Sequence, residues 1–116
     1  MQATNEKFYD TGAETKVSGT IRATALQQNS QAHDIVSLMI ASDGVEHHII
    51  LGPQWFVERQ SLPIIPNQSI DVIGSVVNSK GSPCILAREV IFVNQKFFLR
   101  DPSGQPLWNL CSLSIF

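Results

Sequence analysis

His47 and His48, with His33 upstream, are the residues whose type most invites metal chemistry, since a neutral imidazole nitrogen is a common ligand. On a strand, adjacent side chains point to opposite faces, so His47 and His48 cannot chelate one ion from one side. No Cys/His cluster supports them, and the sequence implies no metal and no cofactor. Cys84 and Cys111 lack a CxxC or Cys/His ligand spacing, which removes zinc-ribbon and thioredoxin-like readings. They read as one buried thiol and one tail thiol, with a disulfide between them as the alternative. Covalent catalysis finds no foothold: there is no Gly-x-Ser-x-Gly elbow, and Ser75 follows Gly74 inside a strand pattern. Asp71 and Glu89 fall on neighbouring strands, where they suit acid–base work or equally a solvated barrel surface. The reading is therefore non-catalytic.

Recognition chemistry is better represented. Trp55, Phe56, Arg59, Arg88, Arg100 and Trp108 are the candidate ligand-binding residues, because indole and phenyl faces stack on ligands and guanidinium groups pair with anions. Each has a structural counterpart. Trp55 and Phe56 suit a plug for the open end of a small barrel, with Trp108 covering the other side of the same core. Arg88 and Arg100 suit ion pairs, with Asp71 the better partner and Glu89 expected on the opposite face.

The elements that must position these residues are strands. Of 116 residues 43% are hydrophobic and 16% charged, which argues against disorder and for one core. Eight basic against ten acidic residues leave a net charge of −2, so no global positive field draws the chain to phosphate backbones. A nucleic-acid role would need a local patch. No apolar run approaches the roughly 20 residues that span a bilayer. Gln2 to Glu14 is polar and carries no export-signal pattern, so the chain reads as soluble with its compartment open.

From Thr15 the period becomes two, with Val17, Gly19, Ile21, Ala23 and Ala25 on one face; Gly19 suits a bulge or a coiled first strand. Residues 27–33 form a polar connection. Ile35 to Ala41 and Val45 to Leu51 flank Asp43-Gly44, a tight-hairpin pair, and Val45, His47, Ile49 and Leu51 share a face. Pro53 to Gln60 predicts one or two helical turns opened by proline. Pro66 to Ser69 is a turn into a strand in which Ile70, Val72, Gly74 and Val76 face one way. A hairpin loop over Asn78 to Pro83 leads to a strand over Cys84 to Phe92. In that strand Cys84, Leu86 and Val90 oppose Ile85, Ala87, Glu89 and Ile91. Phe97 to Leu99 adds a brief last strand. Five principal strands with the helix between the third and fourth predict an all-β, OB-fold-like five-stranded Greek-key barrel.

Tyr9-Asp10, Val17-Ser18-Gly19-Thr20, Leu51-Gly52-Pro53-Gln54-Trp55-Phe56, Ile73-Gly74-Ser75, Ala87-Arg88-Glu89-Val90 and Leu99-Arg100-Asp101 with Gly104, Pro106, Leu107 and Trp108 carry a resemblance. The chain resembles a group of small, largely uncharacterised bacterial OB-fold proteins, broadly the periplasmic bacterial OB-fold class. That resemblance implies the fold and an exported, periplasmic setting, and no catalytic signature. Asn67-Gln68-Ser69 departs from the glycine-aspartate common in the group before strand four.

The organisation expected is a flexible arm over residues 1–14, a barrel domain over 15–108 and an apolar tail over 109–116. The function expected is a binding or interaction module for a protein or small ligand, with single-stranded nucleic-acid binding as the alternative. OB barrels commonly bind single strands on strands two and three, yet Val36 to Leu51 contains no aromatic residue. Low charge, open strand edges and the apolar tail also suggest self-association as a homo-oligomer.

Overall fold

The structure is a computed structural model that describes residues 9–28, 34–79 and 81–108. Six strands carry it: β1 (Glu14–Gln28), β2 (Asp34–Ser42), β3 (Val45–Pro53), β4 (Ser69–Ser79), β5 (Ser82–Phe92) and β6 (Gln95–Phe98). Among the described residues a helix, α1 (Gln54–Gln60), lies between β3 and β4, and a 3-10 turn over Thr11–Ala13 leads into β1. The sheet runs β3-β2-β1-β4-β5-β6 and closes through a parallel β3–β5 pairing. A long β1 that pairs with β4 in its first half and β2 in its second is what lets five strands close. This is the OB-like Greek-key barrel with its helix between β3 and β4.

Local chemistry explains the elements. Asp43 and Gly44 both take positive φ, 52° and 81°, the two-residue turn whose twist matches an antiparallel hairpin. α1 stops at Ser61, a left-handed residue whose N–H donates to the Glu58 carbonyl. Pro53 belongs to β3, opposite Ile35, and its extended ψ of 143° makes it the helix cap; the helix expected over Pro53 to Gln60 therefore begins one residue later. A Cβ on Gly19 would lie 2.3 Å from the Ala41 carbonyl oxygen, and one on Gly74 2.2 Å from that of Leu86. Glycine at both places permits the close strand approach of a small barrel.

Three bulges set the faces. The ladders pass over Arg22 in β1, Leu51 in β3 and Arg88 in β5, each an extra residue with no partner in register. Each shifts the alternation by one. Ala23 and Ala25, expected inward with Ile21, are exposed, and Thr24 and Leu26 take the inward phase instead. In β5 the core face changes from Ile85 and Ala87 to Val90 and Phe92, correcting the grouping of Val90 with Cys84 and Leu86. The bulge expected near Gly19 sits at Arg22.

Ile21, Val36, Leu38, Ile40, Ile49, Leu51, Phe56, Ile70, Val72, Val90 and Leu99 form the centre of the core, all nearly inaccessible. Two loops are shorter than expected: β1 extends through Gln28, and β4 and β5 reach Ser79 and Ser82. The last strand is Gln95–Phe98 rather than Phe97 to Leu99. Residues 1–8 of the arm, residues 29–33 with His33, Lys80, and the tail over 109–116 with Cys111 lie outside the described residues. Among the described residues no helix is long and apolar enough to cross a membrane.

Candidate functional site

The six candidate residues are strung into one run of contacts that starts on α1. Arg59 lies 5.5 Å over the Trp55 ring, Trp55 packs edge-on against Phe56 at 5.8 Å, and Phe56 meets Trp108 at 5.7 Å. Trp108 in turn carries Arg100 at 5.2 Å, and the far side of Arg100 lies 5.4 Å from the Tyr9 ring. Tyr9 Oη donates to Glu14 Oε2, which also accepts from Arg88 Nε at 2.7 Å. Arg88 Nη1 donates to Glu89 Oε2 at 2.7 Å, and Lys96 stands 3.9 Å from the same carboxylate. Tyr9 and Glu14 join Arg88 to the aromatic residues, and both fall in the stretch that reads as an arm.

Several partners differ from expectation. Arg88 pairs with Glu14 and Glu89, not Asp71, because the bulge at Arg88 brings two consecutive side chains to one side. Asp71 lies 4.0 Å from Lys16, and its ladder partner is Ile91, whereas Glu89 faces Ile73. The two carboxylates are thus engaged separately. Trp108 seals the same end of the core as Phe56 rather than the opposite one. Gly52, at φ 147°, lies directly beneath its ring, where a Cβ would meet Trp108 Cζ3 at 2.8 Å.

Burial, then the bond to Glu14, pushes the Tyr9 phenol up to about 12. The hydrogen bonds from Tyr9 and then Arg88 hold the Glu14 carboxyl below the usual range. Arg100 Nη1 donates to the Gly104 carbonyl at 2.8 Å, while its buried Nε has no hydrogen-bond partner among the described residues, and burial pulls its pKa down against the attraction of Tyr9. These contacts direct the aromatic faces and most of the guanidinium charge toward one another. They tie the segments before β1 and after β6 to the barrel.

An accessible concavity lies elsewhere, at the opposite end of β3. β3 and β5 pair only through Ile49 with Ile85 and Ile50 with Leu86. Before those pairs, Val45 to His48 are paired with β2 on one side, and the β3–β5 ladder does not extend to them on the other. Between β3 and β5 there opens a cleft of about 380 Å³ whose lining includes Thr15, Val17, Val45, His47, Val76 and Ile85. Val45 and Val76 follow the inward alternation, yet they are 55% and 43% exposed because the barrel gapes there. Glu46 and His48 also line it, and Cys84 is a buried part of its wall. Among the described residues no three His, Cys, Asp or Glu side chains are grouped to hold a metal ion. Beyond two valines beside hairpin loops nothing in the residue pattern marks this cleft, since the gap depends on where the β3–β5 ladder stops.

Strand order, the α1 plug and the gaping seam define a small OB-like barrel with an apolar mouth. The sequence profile of the MamS/MamX magnetosome protein family matches residues 13–97, from the end of the 3-10 turn to β6. The chain belongs to that bacterial family. No curated protein matches it.

Proposed function

We propose that this chain is a non-catalytic interaction module, serving an exported, magnetosome-associated assembly, and that it holds an extended, largely apolar segment of a partner protein in the cleft between β3 and β5. The observation that carries the reading is the open seam. The β3 edge over Val45 to His48, which the β3–β5 ladder does not reach, flanks an apolar cleft, and strand addition uses both: main-chain bonds to an edge, and alternate side chains set into the groove. Exposed Val45 and Val76 supply the apolar contact. The exported setting rests on the bacterial resemblance, and the magnetosome setting on the family's description. Trp55, Phe56, Trp108, Arg88 and Arg100 support the module by tying the segments before β1 and after β6 to the barrel, while Arg59 lies over Trp55, the indole nearest an OB-type stacking role.

A capped hexapeptide alternating valine and threonine is the probe, measured by calorimetry against the full chain and against Val45→Asp and Val76→Asp. Binding that is insensitive to salt and lost in both variants supports the reading. Equal binding by the three proteins, or none, overturns it. Salt-sensitive binding of oligo(dT) in place of the peptide would return the single-strand alternative.

A further inference from the structure

From Ala23 to Gln28, β1 pairs with β2 on one side, while on the other its ladder with β4 ends at Thr20 and Ser69. Open strand edges are normally blunted by charge or proline. Lys96 does this on β6 and Glu46 on the β3 edge at the cleft, but Ala23-Thr24-Ala25-Leu26-Gln27-Gln28 carries neither. A second apolar groove, about 380 Å³, lies at the α1 end of the barrel, with Leu26, Val57, Leu62 and Ile64 among its lining residues. The bulge at Arg22 turns Thr24 and Leu26 into it and leaves Leu26 52% exposed.

The direction of the main-chain groups follows from the hairpin. Across the two-residue Asp43-Gly44 turn, Ser42 and Val45 exchange both backbone bonds, so Ile40 and Leu38 also bond β3, and Met39, Ser37 and Ile35 bond β1. Their partners on β1 are Ala23, Ala25 and Gln27. Thr24, Leu26 and Gln28 therefore aim N–H and C=O at the open side. Ile21 confirms the alternation before the bulge, since its N–H and C=O bond Gln68 and Asn67 on the β4 side.

We propose that this edge binds a second copy of the chain, β1 against β1 in antiparallel order, about a two-fold axis at Leu26. An isologous contact of this kind is the commonest way identical chains pair. With the axis at Leu26, Leu26 bonds Leu26 of the second copy and Thr24 bonds Gln28, so all three outward residues of each chain are paired. An axis at Ala25 would set Gln28 against the bulge at Arg22 and lose that pair. The two Leu26 side chains meet on the groove side, where each covers the other, and the paired stretch contains no charge to repel its copy. The contact uses neither β3 nor β5, so the inference stands independently of the cleft's ligand.

Sedimentation equilibrium of the full chain, from about 10 μM to about 1 mM, tests this with Leu26→Asp, Leu26→Lys and an equimolar mixture of the two. Leu26 is half exposed, so both variants should keep the parent's urea midpoint. The parent is expected to pass from monomer to dimer across the range. Each variant alone places like charges on the axis and should weaken the dimer about tenfold or more. The mixture places opposite charges there and should recover it. Exchange of the Leu26 amide in the parent should slow as concentration rises. A parent that stays monomeric throughout, variants that dimerise as the parent does, a mixture no better than either variant, or concentration-dependent protection on Gln95 to Phe98 in place of Leu26 would overturn the proposal.

Discussion

Alanine at Gly52 places a methyl group where the Trp108 ring already lies, on a backbone whose φ of 147° only glycine adopts at low cost. Such backbone strain costs about 1–3 kcal/mol. Moving the indole also weakens its edge contact with Phe56, worth about 0.5–1.5 kcal/mol, and its cation–π contact with Arg100, worth about 0.5–1 kcal/mol. A loss of about 3 kcal/mol is expected, or a urea midpoint lower by about 2 M at a slope of about 1.5 kcal/mol/M. Gly81→Ala is the control, because Gly81 also has positive φ, 84°, with nothing within 4 Å of an added Cβ. It should cost only the backbone part, about 1 kcal/mol. Urea unfolding read by tryptophan emission, with near-ultraviolet circular dichroism of the native state, measures both. The reasoning fails if Gly52→Ala costs no more than Gly81→Ala, or if the indole dichroism of Gly52→Ala matches the parent.

Tyr9 is the sole tyrosine, so absorbance near 295 nm reports it alone, and its phenol should titrate at about 12 instead of near 10. Because the folded value lies above the unfolded one, its stabilising contribution is complete below pH ~10 and is lost as pH rises through about 12. The Glu14 carboxyl behaves oppositely: its contribution is present above the unfolded value and declines as pH falls through the lower folded one, a slope that Glu14→Gln should remove from an acid denaturation series. Arg88→Met should cost about 2 kcal/mol in urea unfolding, because it leaves the nearly buried Glu89 with only the distant Lys96. Arg100→Met should stay within about 1 kcal/mol of the parent, since a desolvated charge whose Nε has no hydrogen-bond partner among the described residues is removed along with its ring contacts and its bond to Gly104. Val76→Asp should leave the urea midpoint nearly unchanged, as its side chain is already 43% exposed at the barrel mouth.

Strand content, the Asp43-Gly44 hairpin and the helix after Pro53 could be read from periodicity and turn residues, because each is a local signal; the Greek-key order, which rests on distant pairings, was reached only through the number of strands and the place of the helix among them. The bulges could not. Nothing in Arg22, Leu51 or Arg88 marks them as residues the ladder skips, yet they decide that Leu26 turns toward the groove and that Arg88 meets its own neighbour Glu89. Of the candidate residues, Trp55, Phe56 and Trp108 were legible as aromatics that seal a small barrel. What could not be read was that Arg100 lies between Trp108 and Tyr9, since the link runs from a segment before β1 to one after β6. The cleft escaped for a related reason: Val45 and Val76 look like core positions until it is known where the β3–β5 pairing stops.

Whether the seam between β3 and β5 is the recognition surface is tested most directly by methyl-resolved NMR of the full chain during titration with the capped valine–threonine hexapeptide. The proposal predicts saturable shifts concentrated on Val17, Val45, Val76 and Ile85, together with slowed exchange of the Val45 to His48 amides. Shifts confined to the indole signals of Trp55 and Trp108, or to the methyls of Val57 and Leu62 on the α1 side, with the cleft unmoved, would contradict it.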